Sequence, residues 1–312
     1  MIFIAHSVLL AMAASLFVSL MIVLFLCVKR CTNARGRSHK KYTPKSVLVI
    51  GGTYGLGNEI AKRMLREDDV ARLVILARSP DHGNRSTKEL RKQHPEKDID
   101  FCQYDAVNDN LFDTLNQARE AIPILEGIQF NVIFHCVGSA RCALGDDEST
   151  ENASDHMKKN YLAAIKTCVF ARSSFVAKRS HIVFIGSTLS NMEMPGYASY
   201  CASKQALKAY IRTLRLEPSV YGHHYRQVFV SNMDTPGFKE EQKTKPCITK
   251  KVESISEPLD PVYCASVIVS DLYSTSDDTY VDTLSYVADT PFISSFVRWY
   301  IRSQSRVWRG VY

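Results

Sequence analysis

Six short, nearly unbroken apolar runs punctuate the chain: "SVLVI" (46–50), "RLVILA" (72–77), "IDFCQY" (99–104), "NVIFHC" (131–136), "HIVFIG" (181–186) and "QVFVS" (227–231). Strands apolar on both faces belong to parallel sheets covered on both sides. Amphipathic stretches around 56–67, 84–94, 109–121, 152–178 and 197–217 separate them, each long enough for a crossover helix. The alternation predicts an α/β fold built on a doubly wound parallel sheet and spanning residues 46–290. One stretch, Asn232 to Pro258, has no clear period. It reads as a mobile loop over a substrate cleft, with an ordinary surface insertion as the alternative.

Outside this body the pattern changes. Ser7 to Val28 carries no charged residue and as a helix would reach about 33 Å, enough to cross a bilayer. No Lys or Arg precedes it and no small-x-small cleavage site follows, so residues 1–28 are expected to be an uncleaved transmembrane anchor. The formal charge of +7 sits in one place: Lys29, Arg30, Arg35, Arg37, Lys40, Lys41 and Lys45 all precede the first acidic residue, Glu59, and the remainder is neutral. A basic linker (29–45) directly after an apolar span suits a membrane surface, not nucleic acid, and puts the body of the chain on the cytosolic side. Residues 291–312 bring Arg298, Arg302, Arg306 and Arg309 onto one helical arc opposite Ile293, Phe296, Val297, Ile301, Val307 and Trp308. This segment either lies on an anionic membrane or packs on the sheet. Nine scattered cysteines, odd in number and without a CxxC pair, fit a reducing compartment and predict no metal site.

The chemistry begins after the first strand, where Gly51-x-x-x-Gly55-x-Gly57 opens a helix. Such glycines let backbone approach a pyrophosphate at a helix N-terminus, which makes the fold Rossmann-like and the ligand a dinucleotide. At the end of the second strand stands Arg78, where an acidic residue would bind the NAD ribose. A guanidinium there pairs with a 2′-phosphate and favours NADPH, unless it merely caps the strand. Asp105, closing the third strand, is either an acceptor for the adenine amino group or a turn residue.

Tyr200 and Lys204, four apart in "YASYCASKQALKAY", share a helix face. An ammonium beside a phenol favours phenolate, so the spacing predicts a tyrosine acid whose pKa is lowered by its lysine. Ser187, just past the fifth strand, is placed to hydrogen-bond a carbonyl gaining charge, and Asn160 on the preceding helix to hold a water linking Lys204 to solvent.

With these motifs in view, residues 46–275 resemble the short-chain dehydrogenase/reductase family. The resemblance implies a catalytic tetrad of Ser187, Tyr200, Lys204 and Asn160, with Tyr200 and Lys204 also touching cofactor and Lys204 holding the nicotinamide ribose. It also implies cofactor contacts at Gly51, Gly55, Gly57, Gly138 and Thr235, the last against the carboxamide. Ile50 stands where the family has a threonine, His135-Cys136-Val137 replaces its Asn-Asn-Ala, and Val230-Ser231 replaces a proline-containing pair. Within the family, "KNYLAA", "YASYCASKQALKAYIRTLRLE" and above all "DTPGFKEEQKTKP" (Asp234 to Pro246) are similar to members that reduce the long-chain lipid ketone 3-oxosphinganine with NADPH at the cytosolic face of the endoplasmic reticulum. That activity is the expectation. A retinoid or steroid dehydrogenase of the same fold is the second reading and a non-catalytic NADP-binding membrane adaptor the third, disfavoured by the complete tetrad. A homo-oligomer is compatible with each.

Overall fold

The computed structural model describes residues 44–290, apart from 255 and 275; the expected anchor (1–28), most of the basic linker and the C-terminal basic segment (291–312) lie outside the described residues. In chain order the elements are β1 (Ser46–Ile50), α1 (Gly55–Leu65), β2 (Arg72–Ala77), α2 (Pro80–Gln93), β3 (Asp98–Gln103), α3 (Leu111–Gln117), β4 (Phe130–His135) and α4 (Thr150–His156). A π turn, Met157–Leu162, joins α4 to α5 (Ala163–Phe170). Beyond it come β5 (Val176–Ile185), α6 (Ala198–Leu214), β6 (His224–Phe229), α7 (Pro236–Glu241), α8 (Cys247–Glu253), α9 (Pro261–Asp271), β7 (Asp278–Tyr280) and α10 (Thr283–Ala288).

The seven strands form one parallel sheet in the order β3-β2-β1-β4-β5-β6-β7. The expected doubly wound Rossmann-like architecture is therefore present. β1 is buried at every position, as a central strand covered on both faces must be. Its alternate residues serve different layers. Leu48 and Ile50 join Val74, Leu76, Ile133 and Phe184 in a core closed by Ala164 and Cys168 of α5 and Leu207 and Ile211 of α6. On the opposite side α1 packs against α9, burying Ile60, Met64 and Ile268. Each such side chain contributes roughly 1.5–3 kcal/mol on burial.

Three elements differ from the sequence reading. The predicted helix over 152–178 ends at Phe170, because β5 begins at Val176 and runs ten residues, its register against β4 shifting between Phe130 and Val132. β7, only three residues long, carries too little pattern to be seen. The stretch 232–258 is not an irregular loop: it folds into α7 and α8, with Thr235 and Pro246 at their N-caps. Lys245 fastens the two helices together, its ammonium 2.8 Å from the Glu241 carboxylate and 2.5 Å from that of Glu253.

The sheet order reverses at β1, which pairs with β2 on one side and β4 on the other. In open α/β sheets the crevice at the carboxyl ends of such strands is where ligands bind.

Candidate active site

The loop leaving β1 is shaped by close approach. Gly51 has φ +83°, a left-handed conformation, and a side chain on it would meet the Cys136 backbone at 3.2 Å. A Cβ on Gly57 would lie 2.1 Å from the Gly51 carbonyl oxygen, so α1 can start this close to β1 only with glycine there. The departure at Ile50 costs the loop a side-chain tie, and main-chain bonds hold it: Gly51 N–H donates to Leu76 O (2.7 Å) and Cys136 N–H to Ile50 O (2.8 Å). Asn58, not singled out from sequence, adds a clamp by donating to Gly52 O (3.2 Å) and to Ser86 Oγ of α2 (2.6 Å). Gly55 comes near Thr235, which would meet an added Cβ at 3.5 Å and whose hydroxyl caps α7 by accepting the Phe238 N–H. The sterically required glycine backbone, lining the cavity at a helix N-terminus, fits a dinucleotide pyrophosphate.

Arg78 is exposed at the mouth of the same crevice, with Ser79, His82 and Arg85 of the following turn and helix beside it on the cavity wall. Asp105 also lines the crevice, yet its carboxylate is already engaged: it accepts the Val107 N–H (2.9 Å) and the Asn108 amide (3.0 Å). Burial works against its ionisation, but these bonds and the nearby Arg78 outweigh it and hold the carboxyl below its ordinary range. These bonds give Asp105 the turn role, and its place on the crevice wall is the one the adenine reading requires.

On the far side of the crevice the four tetrad positions converge. Ser187 follows β5 and caps a short 3₁₀ turn by accepting the Leu189 N–H (3.1 Å), and its hydroxyl acts on the Tyr200 phenol. Lys204, almost wholly buried, donates to Ile185 O at 3.0 Å and lies 5.9 Å from the Tyr200 ring centroid. Burial lowers its pKa from 10.5 to about 8. The expectation that this ammonium depresses the tyrosine is not met: burial pushes Tyr200 above its ordinary value, the Ser187 hydroxyl pulls it back, and the Glu241 carboxylate pushes it up. Desolvation outweighs an ammonium that is spent on a backbone carbonyl.

Asn160 is buried on the π turn between α4 and α5. Its amide donates to Ser139 O (3.0 Å) and Ser203 Oγ (3.0 Å) while its Oδ1 accepts the Ser139 N–H (2.9 Å). The side chain thus fastens the loop following β4 to α6. Gly138 fits between, since a Cβ there would come 3.0 Å from Asn160 Oδ1 and 3.3 Å from Lys204 Nζ. π turns of this kind recur at functional sites.

The replacements after β4 and β6 are absorbed by the core. His135 is buried, its Nδ1 2.9 Å from Thr167 Oγ1, and burial lowers its pKa from 6.5 to about 3, so it is a neutral core residue. Ser231 is held by Asp282, its Oγ 2.5 Å from Oδ2. Ser187, Tyr200 and Lys204, but not Asn160, line the cavity of about 1550 Å³, larger than the roughly 300–1,000 Å³ of a pocket for one small molecule. Tyr197, Glu241 and Glu253 also line it, none singled out from sequence; the Tyr197 hydroxyl lies within hydrogen-bond reach of both carboxylates, Glu253 at 2.8 Å, and shares its single proton between them. The i, i+4 spacing of Glu241 and Lys245 was the available signal.

A family model described as short chain dehydrogenase matches residues 45–246. The 3-ketodihydrosphingosine reductase of Dictyostelium discoideum is 27% identical over 277 residues, covering 82% of this chain and 82% of that protein. That of Debaryomyces hansenii is 24% identical over 253 residues, 78% of this chain and 76% of its own. Among solved structures, a short-chain dehydrogenase from Sphingobium yanoikuyae in complex with NADPH superposes with a TM-score of 0.63 at 18% identity, covering 83% of this chain and 95% of that one, a likeness of fold.

Proposed function

This chain belongs to the short-chain dehydrogenase family, and from that premise we propose that it is an NADPH-dependent reductase converting 3-ketodihydrosphingosine (3-oxosphinganine) to dihydrosphingosine (sphinganine). The observation that carries the reading is that relatives bearing this activity's name match across some four-fifths of the chain.

When bound, NADPH supplies the hydride that the ketone carbon accepts. Gly51, Gly55 and Gly57 would take its pyrophosphate, Arg78 its 2′-phosphate, and Gly138, Lys204 and Thr235 its nicotinamide half. Tyr200 gives its phenolic proton to the carbonyl oxygen, so that hydride and proton together complete the alcohol. Ser187 donates to that oxygen as it gains charge. Lys204, poised near pH 8 by burial, favours the tyrosinate left behind once it turns from the Ile185 carbonyl. Asn160 fixes the backbone of Ser139 and the helix carrying Lys204, a positioning task in which its side chain is almost fully used.

An N-terminal anchor at the endoplasmic reticulum with the domain in the cytosol completes the proposal, since so apolar a substrate resides in membrane. The test is to incubate detergent-solubilised full-length protein and NADPH with 3-ketodihydrosphingosine, retinal and a ketosteroid, following product by mass spectrometry. Selective formation of dihydrosphingosine supports the reading; turnover of retinal or the steroid alone refutes it.

A further inference from the structure

The inner wall of the cavity carries more negative charge than the fold needs to balance itself. Glu241 and Glu253, from α7 and α8, both line the cavity, whereas Lys245, with a wholly buried side chain, does not. The ammonium therefore sits behind the two carboxylates, stacked at 4.6 Å over Phe238 and 5.5 Å over Tyr197. Tyr197 shares its one proton between both but adds no charge, burial and the two carboxylates keeping it a phenol. Glu240, next in the chain, pairs outward with Lys243. Two carboxylates against the one ammonium that pairs with them leave one carboxylate charge without an ion-pair partner of its own, on the wall of the cavity that Tyr200 also lines. The proximity is geometric: Glu241 is hydrogen-bonded to Tyr197, whose ring centroid lies 5.7 Å from that of Tyr200. Met192, Met194, Val252 and Leu284 give the same cavity an apolar share of its lining.

A second feature of the same wall asks for a polar ligand. Thr188, the residue after Ser187, lines the cavity, is 3% exposed, and its hydroxyl has no protein hydrogen-bond partner among the described residues. Buried polar groups without partners are uncommon and costly. A substrate with polar atoms next to its reacting carbonyl supplies what this wall lacks.

We propose that Glu241, backed by Glu253, receives the protonated amine on the carbon adjacent to the ketone, so that the site selects 2-amino-3-ketones over simple long-chain ketones. The inference rests on the reading above and deepens it. An α-ammonium is one bond from the reacting carbon's neighbour, so a carboxylate that acts on the catalytic phenol is in the right neighbourhood to pair with it. Its arrival neutralises the surplus charge and removes the Coulombic penalty that Glu241 places on a Tyr200 phenolate. The amine thus assists the acid that reduces its neighbour. Lys245 fixes the carboxylates without competing for the cavity face.

The experiment compares kcat/KM for three ketones of equal chain length with full-length protein and NADPH: the 2-amino-3-ketone, its N-acetyl derivative and the deaminated 3-ketone. The wild type should prefer the free amine by about 10- to 100-fold, the worth of a charge-assisted hydrogen bond. Glu241→Gln, which keeps the shape and leaves Glu253 paired with Lys245, should cost about that factor on the amine and much less on the other two. Glu253→Gln should act in the same direction. If wild type turns over the deaminated ketone as well as the amine, the inference fails while the reductase reading stands. Equal loss on all three substrates in Glu241→Gln would make the glutamate structural. Turnover of none of the three alongside turnover of retinal or a steroid sinks both.

Discussion

At the residue scale the site depends on a half-buried tyrosine and a buried lysine whose ordinary acidities are inverted. Tyr200 is raised by burial and so retains its proton until a substrate oxygen takes it, while Lys204 is lowered to about 8. Tyr200→Phe removes only the proton donor: reduction should fall by at least about 10²-fold, the usual worth of a positioned acid, while NADPH binding, read by fluorescence, stays close to wild type. Retained turnover would disqualify the tyrosine. For Lys204 the folded pKa lies below the unfolded value of 10.5, so between about 8 and 10.5 the unfolded chain binds more protons and stability rises with pH. Below about 8 both states are charged and the burial cost is fully present. The melting temperature of Lys204→Met relative to wild type should therefore fall as pH climbs through that window; a pH-independent difference would contradict the assignment. Arg78 is the third residue to test. Its pairing with a 2′-phosphate should be worth about 1.5–3 kcal/mol, so Arg78→Ala should weaken NADPH about 10- to 100-fold and hardly change NADH. Equal losses would make the arginine a strand cap.

At the element scale the segment between β6 and α9 is the part with most to lose from one change. Lys245 is the sole cation pairing with Glu241 and Glu253 among the described ion pairs, and its side chain is fully buried. Removing one partner of a buried pair strands the other charges, typically at about 3–5 kcal/mol. Lys245→Met should therefore loosen α7 and α8 and open residues 232–258 to protease well below global unfolding, with NADPH affinity lowered through Thr235; unchanged proteolysis would show the ion pairs to be marginal. This segment also shows where sequence stops being legible. The central strands were readable because both faces are buried and every residue is apolar, and the glycine loop because 51 and 57 leave no room for a Cβ. α7 and α8, of six and seven residues, are too short for a helical period and are held by tertiary ion pairs. The tetrad was readable as residue types at spacings. Its electrostatics were not, because desolvation and the Ile185 carbonyl, which no spacing reveals, decide what Lys204 does to Tyr200.

At the scale of the whole molecule the question is where this domain meets its substrate. Without the terminal arginines the catalytic body, residues 46–290, carries 28 basic against 32 acidic residues and so is not drawn to an anionic surface; the membrane attachment proposed above would reside in the apolar span 7–28, the basic linker after it, or the arginines at 298, 302, 306 and 309. Native sequons report the side on which the domain lies: Asn84-Arg85-Ser86 and Asn152-Ala153-Ser154 both fall in the body, with Asn84 exposed on α2. In microsomes both should stay unmodified, while a sequon added on a short extension before Met1 should be glycosylated. Deleting residues 1–28 then separates the two modes of attachment. Protein that leaves the membrane was held by the span alone; protein that remains and is released by high salt was held by the terminal arginines, because ionic contacts screened over about 8 Å at physiological ionic strength weaken further as salt rises. Glycan on Asn84 or Asn152 in the intact chain would put the cavity in the lumen, away from cytosolic NADPH. Arg78 would then lack the cofactor that its position between β2 and α2 suits, and the reductive direction would lose its physical basis.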